Sequence, residues 1–380
     1  MPQKCPHRRY NDYYLVNDED LMSNSEEGVE LVIPKKRSLI KRILFIVSIS
    51  LVVIGVIAFI LAFIIFPLVF KFSLTLQQTF VFTRWNLVSD KSYFNNFRIA
   101  EYQNHYVEVI DTDNKTALQL GLWHMLPTRL AVNAIYEESY DFEAALRNSN
   151  FSVLLYFHGT GEDRSQSWQK YQLFRDFFHV IAFDYRGYGD SQEGPMFEEN
   201  IVNDCVQIYK WVQDRTNSPI YVWGHSLGTS LATGALTQLG KSANITGVIL
   251  EAAFTSLRDE LYHHPYVKYF SWLPWFESTI VNPLTTNGFI FNTSAHILSL
   301  TSPIMFMHAK DDSVVPYFMS EELYAISDER DVSQAIKNLS SLILFSADIR
   351  LNHYFIYRDS FSLYYMYDFL KKTSPDLYSR

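Results

Sequence analysis

Between Ile43 and Phe70 the chain runs for 28 residues without one charged side chain. Backbone in hydrocarbon must satisfy its own hydrogen bonds, so a run of this kind that enters a bilayer has to be a helix. At 1.5 Å per residue it would be about 42 Å long, more than the roughly 30 Å hydrocarbon core. Either the helix tilts or its end, near Pro67, leaves the bilayer. A helix buried in a soluble core would be shorter and amphipathic, whereas this one is apolar all round. A cleaved signal peptide fits poorly too: the run is too long, it starts late, and no small-residue cleavage site follows. The expectation is a single-pass signal anchor over residues 43–70.

The flanks give it a direction. Lys35, Lys36, Arg37, Lys41 and Arg42 crowd the N-terminal side, against a scattered Lys71, Arg84 and Lys91 beyond it. By the positive-inside rule, residues 1–42 are a cytoplasmic tail and everything after the span is luminal or extracellular. Five N-glycosylation sequons, at Asn114, Asn150, Asn244, Asn292 and Asn338, all lie after the span and none before it. Cys5 and Cys205 would then sit on opposite sides of the membrane and cannot pair within one molecule. With two cysteines there is no disulfide framework and no cysteine-based metal site. A net charge of −9 argues against a nucleic-acid partner. Hydrophobic content of 48% excludes a mainly disordered chain.

Beyond the span, residues 71–105 read as a membrane-proximal connector and residues 106–380 as the folded domain. Tyr106 to Ile110 and Leu118 to Trp123 are two short strands around a turn at Asp113-Asn114. Residues 127–148 look helical. Apolar runs at 153–157, 179–183, 219–223, 247–251, 303–307 and 341–345 alternate with helical stretches, which implies a mostly parallel sheet covered on both faces. Residues 254–300 break this rhythm with prolines at 265, 274 and 283 among Tyr262, Tyr266, Tyr269, Phe270, Trp272, Trp275 and Phe276. Such a stretch is too long for a simple connection and is expected to form a small cap, suited to an acyl chain or to the lipid interface.

One pentapeptide stands where the run 219–223 meets the helix-like stretch from Leu227 to Leu239: Gly224-His225-Ser226-Leu227-Gly228. A serine at a sharp strand-to-helix turn needs glycine two before and two after, since side chains there would strike the neighbouring strand and helix. The turn presents the Ser226 hydroxyl, and the Leu227 N–H at the helix N-terminus can face an oxyanion. The second oxyanion donor is placed on Thr160, in the turn His158-Gly159-Thr160-Gly161 that ends another strand. His158 itself is read as shaping that turn, and Asp184 with Arg186 as a loop-bracing ion pair. In this kind of site the chain order is serine, acid, histidine. Only His353, of eleven histidines, follows the Asp311-Asp312 loop, so it is the one candidate base. Asp312 fits the acid best, Asp311 is its fallback, and Glu251 a distant third. The expected chemistry is an acyl-enzyme on Ser226 with no metal and no organic cofactor.

At this point the sequence resembles a known family, that of α/β-hydrolase domain-containing protein 12. The likeness lies in the stretch from Pro219 to Thr229, in Asp184-Tyr185-Arg186-Gly187-Tyr188-Gly189-Asp190-Ser191, in Asn282-Pro283-Leu284-Thr285-Thr286-Asn287-Gly288, and in His308 through Pro316. It covers roughly residues 100–372. It implies an α/β-hydrolase fold and, matched motif by motif, a triad of Ser226, Asp312 and His353. It also implies an endoplasmic reticulum membrane enzyme with a luminal active site, the plasma membrane being the other location to consider. The implied reaction is cleavage of single-chain glycerolipids such as lysophosphatidylserine and monoacylglycerol, with lipid and membrane as partners. No residue pattern speaks to oligomeric state. Two other readings are a palmitoyl-protein or acyl thioesterase and a catalytically silent hydrolase fold used for binding. Thioesterases with this elbow face the cytosol, so glycosylation would count against the first; the complete Ser-Asp-His set counts against the second.

Overall fold

The structure is a computed structural model that describes residues 37–84, 91–96, 101–137 and 139–378. Of the expected tail, residues 1–36, with Cys5, Lys35 and Lys36, lie outside the described residues, and the rest begins the helix Arg37–Ile60. Among the described residues one helix, Leu39–Phe72, is long and apolar enough to cross a membrane by length and composition. The chain divides into two units, Met1–Leu61 and Ala62–Arg380. The second therefore includes Phe66–Phe72 and the helix Leu74–Val81. These pieces are stitched to it by specific bonds: Gln77 donates to Phe70 O over 2.8 Å and accepts from Asn287 over 2.6 Å. Arg84 donates to Gly187 O over 2.9 Å.

The body is built on an eight-stranded sheet. Its strands are β1 (Tyr102–Ile110), β2 (Ala117–Met125), β3 (Ser152–Phe157), β4 (Phe178–Phe183), β5 (Ile220–His225), β6 (Ile245–Glu251), β7 (Ile304–Ala309) and β8 (Ser341–Phe345). They lie in the order β1-β2-β4-β3-β5-β6-β7-β8. β1 and β2 form the expected antiparallel hairpin, turning at Asn114 with φ +56° while Asp113 accepts from the N–H groups of Lys115 and Thr116. From β4 to β8 every pairing is parallel. Strands β3, β4, β5 and β7 are buried along their whole length, as apolar runs sandwiched between helices must be.

Two expectations change in detail. Residues 127–148 form two short helices, Thr128–Ala134 and Phe142–Arg147, in place of one. The second has its own N-cap, Asp141, whose carboxylate accepts from Ala144 N–H. Residues 254–300 hold the helices Leu257–His263, Asn282–Thr286 and Thr293–Ser299 and a π-turn at Glu277–Val281. On this segment Tyr266, Tyr269 and Trp272 are 81%, 69% and 75% exposed, so these three aromatics are not core.

Candidate active site

β5 ends at His225 and the helix Leu227–Leu239 begins one residue later, leaving Ser226 alone at the corner with φ +53° and ψ −120°. A non-glycine residue held there stores of order 1–3 kcal/mol of strain, which the surroundings must impose. They do so through Ser226 N–H donating to Glu251 O over 3.0 Å, and through Thr229, whose N–H and hydroxyl both donate to Ser226 O. The glycines are demanded by contact. A Cβ on Gly224 would lie 2.6 Å from Gly228 O, and one on Gly228 would strike the Phe157 carbonyl at the end of β3.

Two loops converge on this corner. After β8, His353 Nδ1–H donates to Asp312 Oδ2 over 2.7 Å, while Asp312 Oδ1 accepts from the N–H groups of Val314 and Val315. His308 Nε2–H, 3.1 Å away, adds a further donor to Asp312. Burial pushes the Asp312 carboxyl up, but His353 and His308 outweigh it and hold the group well below the usual carboxylate range. Burial also lowers His353, against the pull of Asp312, so the imidazole is neutral at neutral pH. Its Nε2 makes no hydrogen bond among the described residues, and neither does the Ser226 hydroxyl. The base is tied to the elbow through backbone: His225 Nε2–H donates to His353 O over 3.0 Å, with the two rings 4.9 Å apart.

The turn after β3 forms the other side. A Cβ on Gly159 would stand 3.3 Å from Ser226 Cβ. Thr160 N–H has no acceptor among the described residues, and Leu227, first in its helix, has no intrahelical acceptor. Glu162 steadies this turn by accepting from Gly159 N–H over 3.0 Å, and it lies 3.5 Å from His225 Nδ1. Burial and Lys170 oppose a charge on His225; Glu162 and Glu251 outweigh them and raise its pKa.

Of the three acids considered, Asp312 is the one that meets the base. Asp311 accepts from Asn352 N–H over 3.0 Å. Glu251 is bound to Lys170 at 3.0 and 3.1 Å and to Trp223 Nε1–H at 2.9 Å. The ion pair expected between Asp184 and Arg186 does not form. Asp184 pairs with Arg164, and Arg186 with Asp204 and Asp111. Adjacent side chains two apart diverge at this loop, so each finds its charge partner elsewhere. His158 packs against Tyr185 with the rings tilted by 36° and centroids 4.1 Å apart, and its Nδ1–H donates to Gly159 O, in keeping with a turn-shaping role. Among the described residues no cluster of three or more His, Cys, Asp or Glu side chains could hold a metal. Glu162, Arg164, Lys170 and His308 escaped the sequence reading. Their signal was faint: four charges in nine residues behind the β3 turn, Asp163 among them, and one histidine four before Asp312.

Comparison with known proteins places this geometry. A family model described as serine aminopeptidase, S33, matches residues 148–290. The lysophosphatidylserine lipase ABHD12 of Mus musculus is 30% identical over 280 residues, 72% of this chain and 68% of that protein. Human protein ABHD12B is 33% identical over 236 residues, 60% of this chain and 63% of its own. A solved structure of the Pyrococcus furiosus esterase Pf2001 superposes with a TM-score of 0.51 at 17% identity, covering 76% of this chain and 98% of that one, and so shares the fold. A sheet of this order with a strained serine after β5 defines a serine hydrolase of the α/β-hydrolase fold. Within that class the chain belongs to the ABHD12 family.

Proposed function

We propose that this protein is a membrane-anchored serine lipase that releases fatty acid from single-chain glycerolipids, with lysophosphatidylserine and monoacylglycerol as substrates. The observation that carries the chemistry is the 2.7 Å bond from His353 to Asp312, beside a strained serine and two N–H groups without acceptors among the described residues. Substrate class is taken from the relative's name, lysophosphatidylserine lipase.

In the mechanism we infer, His353 Nε2 takes the Ser226 proton as Oγ attacks the acyl carbonyl. Asp312 fixes the imidazole tautomer and stabilises the imidazolium. The N–H groups of Thr160 and Leu227 receive the oxyanion, aided by the helix dipole. His353 then returns the proton to the departing glycerol oxygen, breaking the ester C–O bond. Water, deprotonated by the same nitrogen, attacks the acyl-enzyme and frees the fatty acid and Ser226.

The anchor would hold residues 43–70 in the endoplasmic reticulum membrane, with residues 1–42 cytoplasmic and the catalytic domain luminal. Residues 254–300 would cap the site, their exposed Tyr266, Tyr269 and Trp272 meeting the lipid interface. Supporting that placement, Phe63 of the apolar helix packs on Phe270, ring centroids 5.9 Å apart. Luminal exposure would allow glycosylation. Asn114, Asn150, Asn244 and Asn338 are exposed, whereas Asn292 is partly buried and its side chain caps Ala295 N–H, so we expect it to be the least modified.

The test is fatty-acid release by membranes carrying wild type or Ser226→Ala, across lysophospholipids, monoacylglycerols and palmitoyl thioesters. Ser226-dependent release from the glycerolipids is the expected result. Cleavage confined to thioesters would keep the machinery and overturn the substrate.

A further inference from the structure

A cavity of about 390 Å³ opens between the turn after β3 and the loop after β8, with Thr160, Glu162, Gln169, Lys170 and Tyr354 on its wall. It adjoins the reaction centre on both sides. Thr160 carries a proposed oxyanion N–H, and Tyr354 directly follows His353, its ring 5.6 Å from that of His225. Gly159, one residue before Thr160, stands against Ser226. The mouth is bridged by Tyr357, whose hydroxyl donates to Gln169 Oε1 and so joins the loop after β8 to the helix Trp168–Phe174.

The charges on this wall decide what it can hold. Lys170 is its one cation, and that ammonium is already committed to both oxygens of Glu251. Glu162 has Oε2 occupied by Gly159 N–H and facing His225 Nδ1, while Oε1 has no hydrogen-bond partner among the described residues. Glu162 is only partly buried, its side chain 12% exposed on the cavity wall, so Oε1 is open to accept a hydrogen bond from a ligand. A terminal phosphate monoester, with up to two negative charges, would meet a carboxylate and an already neutralised lysine. An ammonium or a hydroxyl would meet an acceptor waiting for it. The site is complementary to hydrogen-bond donors.

We infer that this cavity receives the polar end of the lipid, with Glu162 Oε1 accepting a hydrogen bond from its ammonium or hydroxyl group. The inference rests on the lipase reading above and adds to it the headgroup chemistry selected. The acyl chain would then leave Ser226 in another direction, toward residues 254–300, and the polar alcohol would depart through this cavity.

The experiment uses the full chain in detergent micelles, with lysophosphatidylserine, monoacylglycerol, lysophosphatidic acid and p-nitrophenyl butyrate as substrates. The last has no headgroup and reads the machinery alone, so each lipid is scored as its kcat/KM relative to that ester. Gln169→Trp fills the cavity without touching the proposed triad or oxyanion donors. It also removes the Tyr357 bond, whose effect the ester reads. The expected result is a KM for lysophosphatidylserine and monoacylglycerol raised about tenfold relative to that for the ester, the worth of one hydrogen bond to a charged group. Glu162→Gln keeps an acceptor for Gly159 and removes the charge, and the ester corrects for any disturbance of His225. A fall in the lysophosphatidylserine ratio beyond that for monoacylglycerol identifies the ammonium as the ligand. Equal falls identify hydroxyls. Lysophosphatidic acid, with phosphate and one hydroxyl, should be the poorest lipid for wild type. Lipid-to-ester ratios unchanged in both variants would overturn the headgroup site while leaving the lipase reading intact. Ester cleavage with no Ser226-dependent lipid turnover would remove the lipase reading and this inference together.

Discussion

The sheet with its elbow and the segment 254–300 are built on opposite terms. In the sheet, β3, β4, β5 and β7 are wholly buried, and Gly224 and Gly228 stand where any side chain would hit backbone. In the segment, short helices alternate with turns, and Tyr266, Tyr269 and Trp272 face outward. The first region has one solution that its atoms permit. The second keeps three large aromatics uncovered, the surface that the proposed function assigns to the lipid interface. Precision is kept for the bond-breaking centre, and adaptability is left where a variable acyl chain and a membrane would be met.

Substitutions can test this contrast, and the largest effects belong to the rigid side. Ser226→Ala should lower kcat by about 10⁴-fold or more with an unchanged thermal unfolding midpoint, since the group lost is the proposed nucleophile and not packing. Asp312→Asn should cost about 10⁴ in kcat by misplacing the imidazole tautomer, while Asp311→Asn should cost only a few-fold. Comparable losses in both variants would show that the acid loop acts as a whole. Gly228→Ala should destabilise the fold by about 3 kcal/mol, read by chemical denaturation, because a Cβ there meets the end of β3 and neither element can retreat.

A smaller effect concerns pH. In the proposed mechanism the neutral form of His353 is the base, and burial lowers its pKa from 6.5. The kcat/KM profile should therefore rise with pH through a titration below 6.5 and stay flat above it. An acid limb centred above 6.5 would mean that Asp312 outweighs burial once substrate-free enzyme is in solution. The smallest expected effect lies outside: Trp272→Ala, at a position 75% exposed, should change stability by less than about 0.5 kcal/mol. It should nonetheless raise KM for lipid presented in vesicles and spare p-nitrophenyl butyrate. A large loss of stability there would erase the distinction between the two regions.

Much of the rigid half was readable in the residues. A parallel strand buried on both faces must be a continuous apolar run, so β3, β4, β5 and β7 announce themselves. The elbow is legible because its two glycines answer a steric demand that lies within five residues. His353 follows from chain order alone, and the apolar helix from a 28-residue run without charge. All of these are local patterns. What escaped depends on residues brought together from far apart. Arg164 reaches Asp184 across 20 residues, Lys170 reaches Glu251 across 81, and His225 meets the carbonyl of His353 across 128. Nothing near Asp184 in the sequence says that its partner is Arg164 and not Arg186. Which of Asp311 and Asp312 touches the base likewise turns on how one loop folds under His308. Local sterics and hydrophobic pattern are written along the chain, whereas the pairing of buried charges is settled by which loops the sheet order sets side by side.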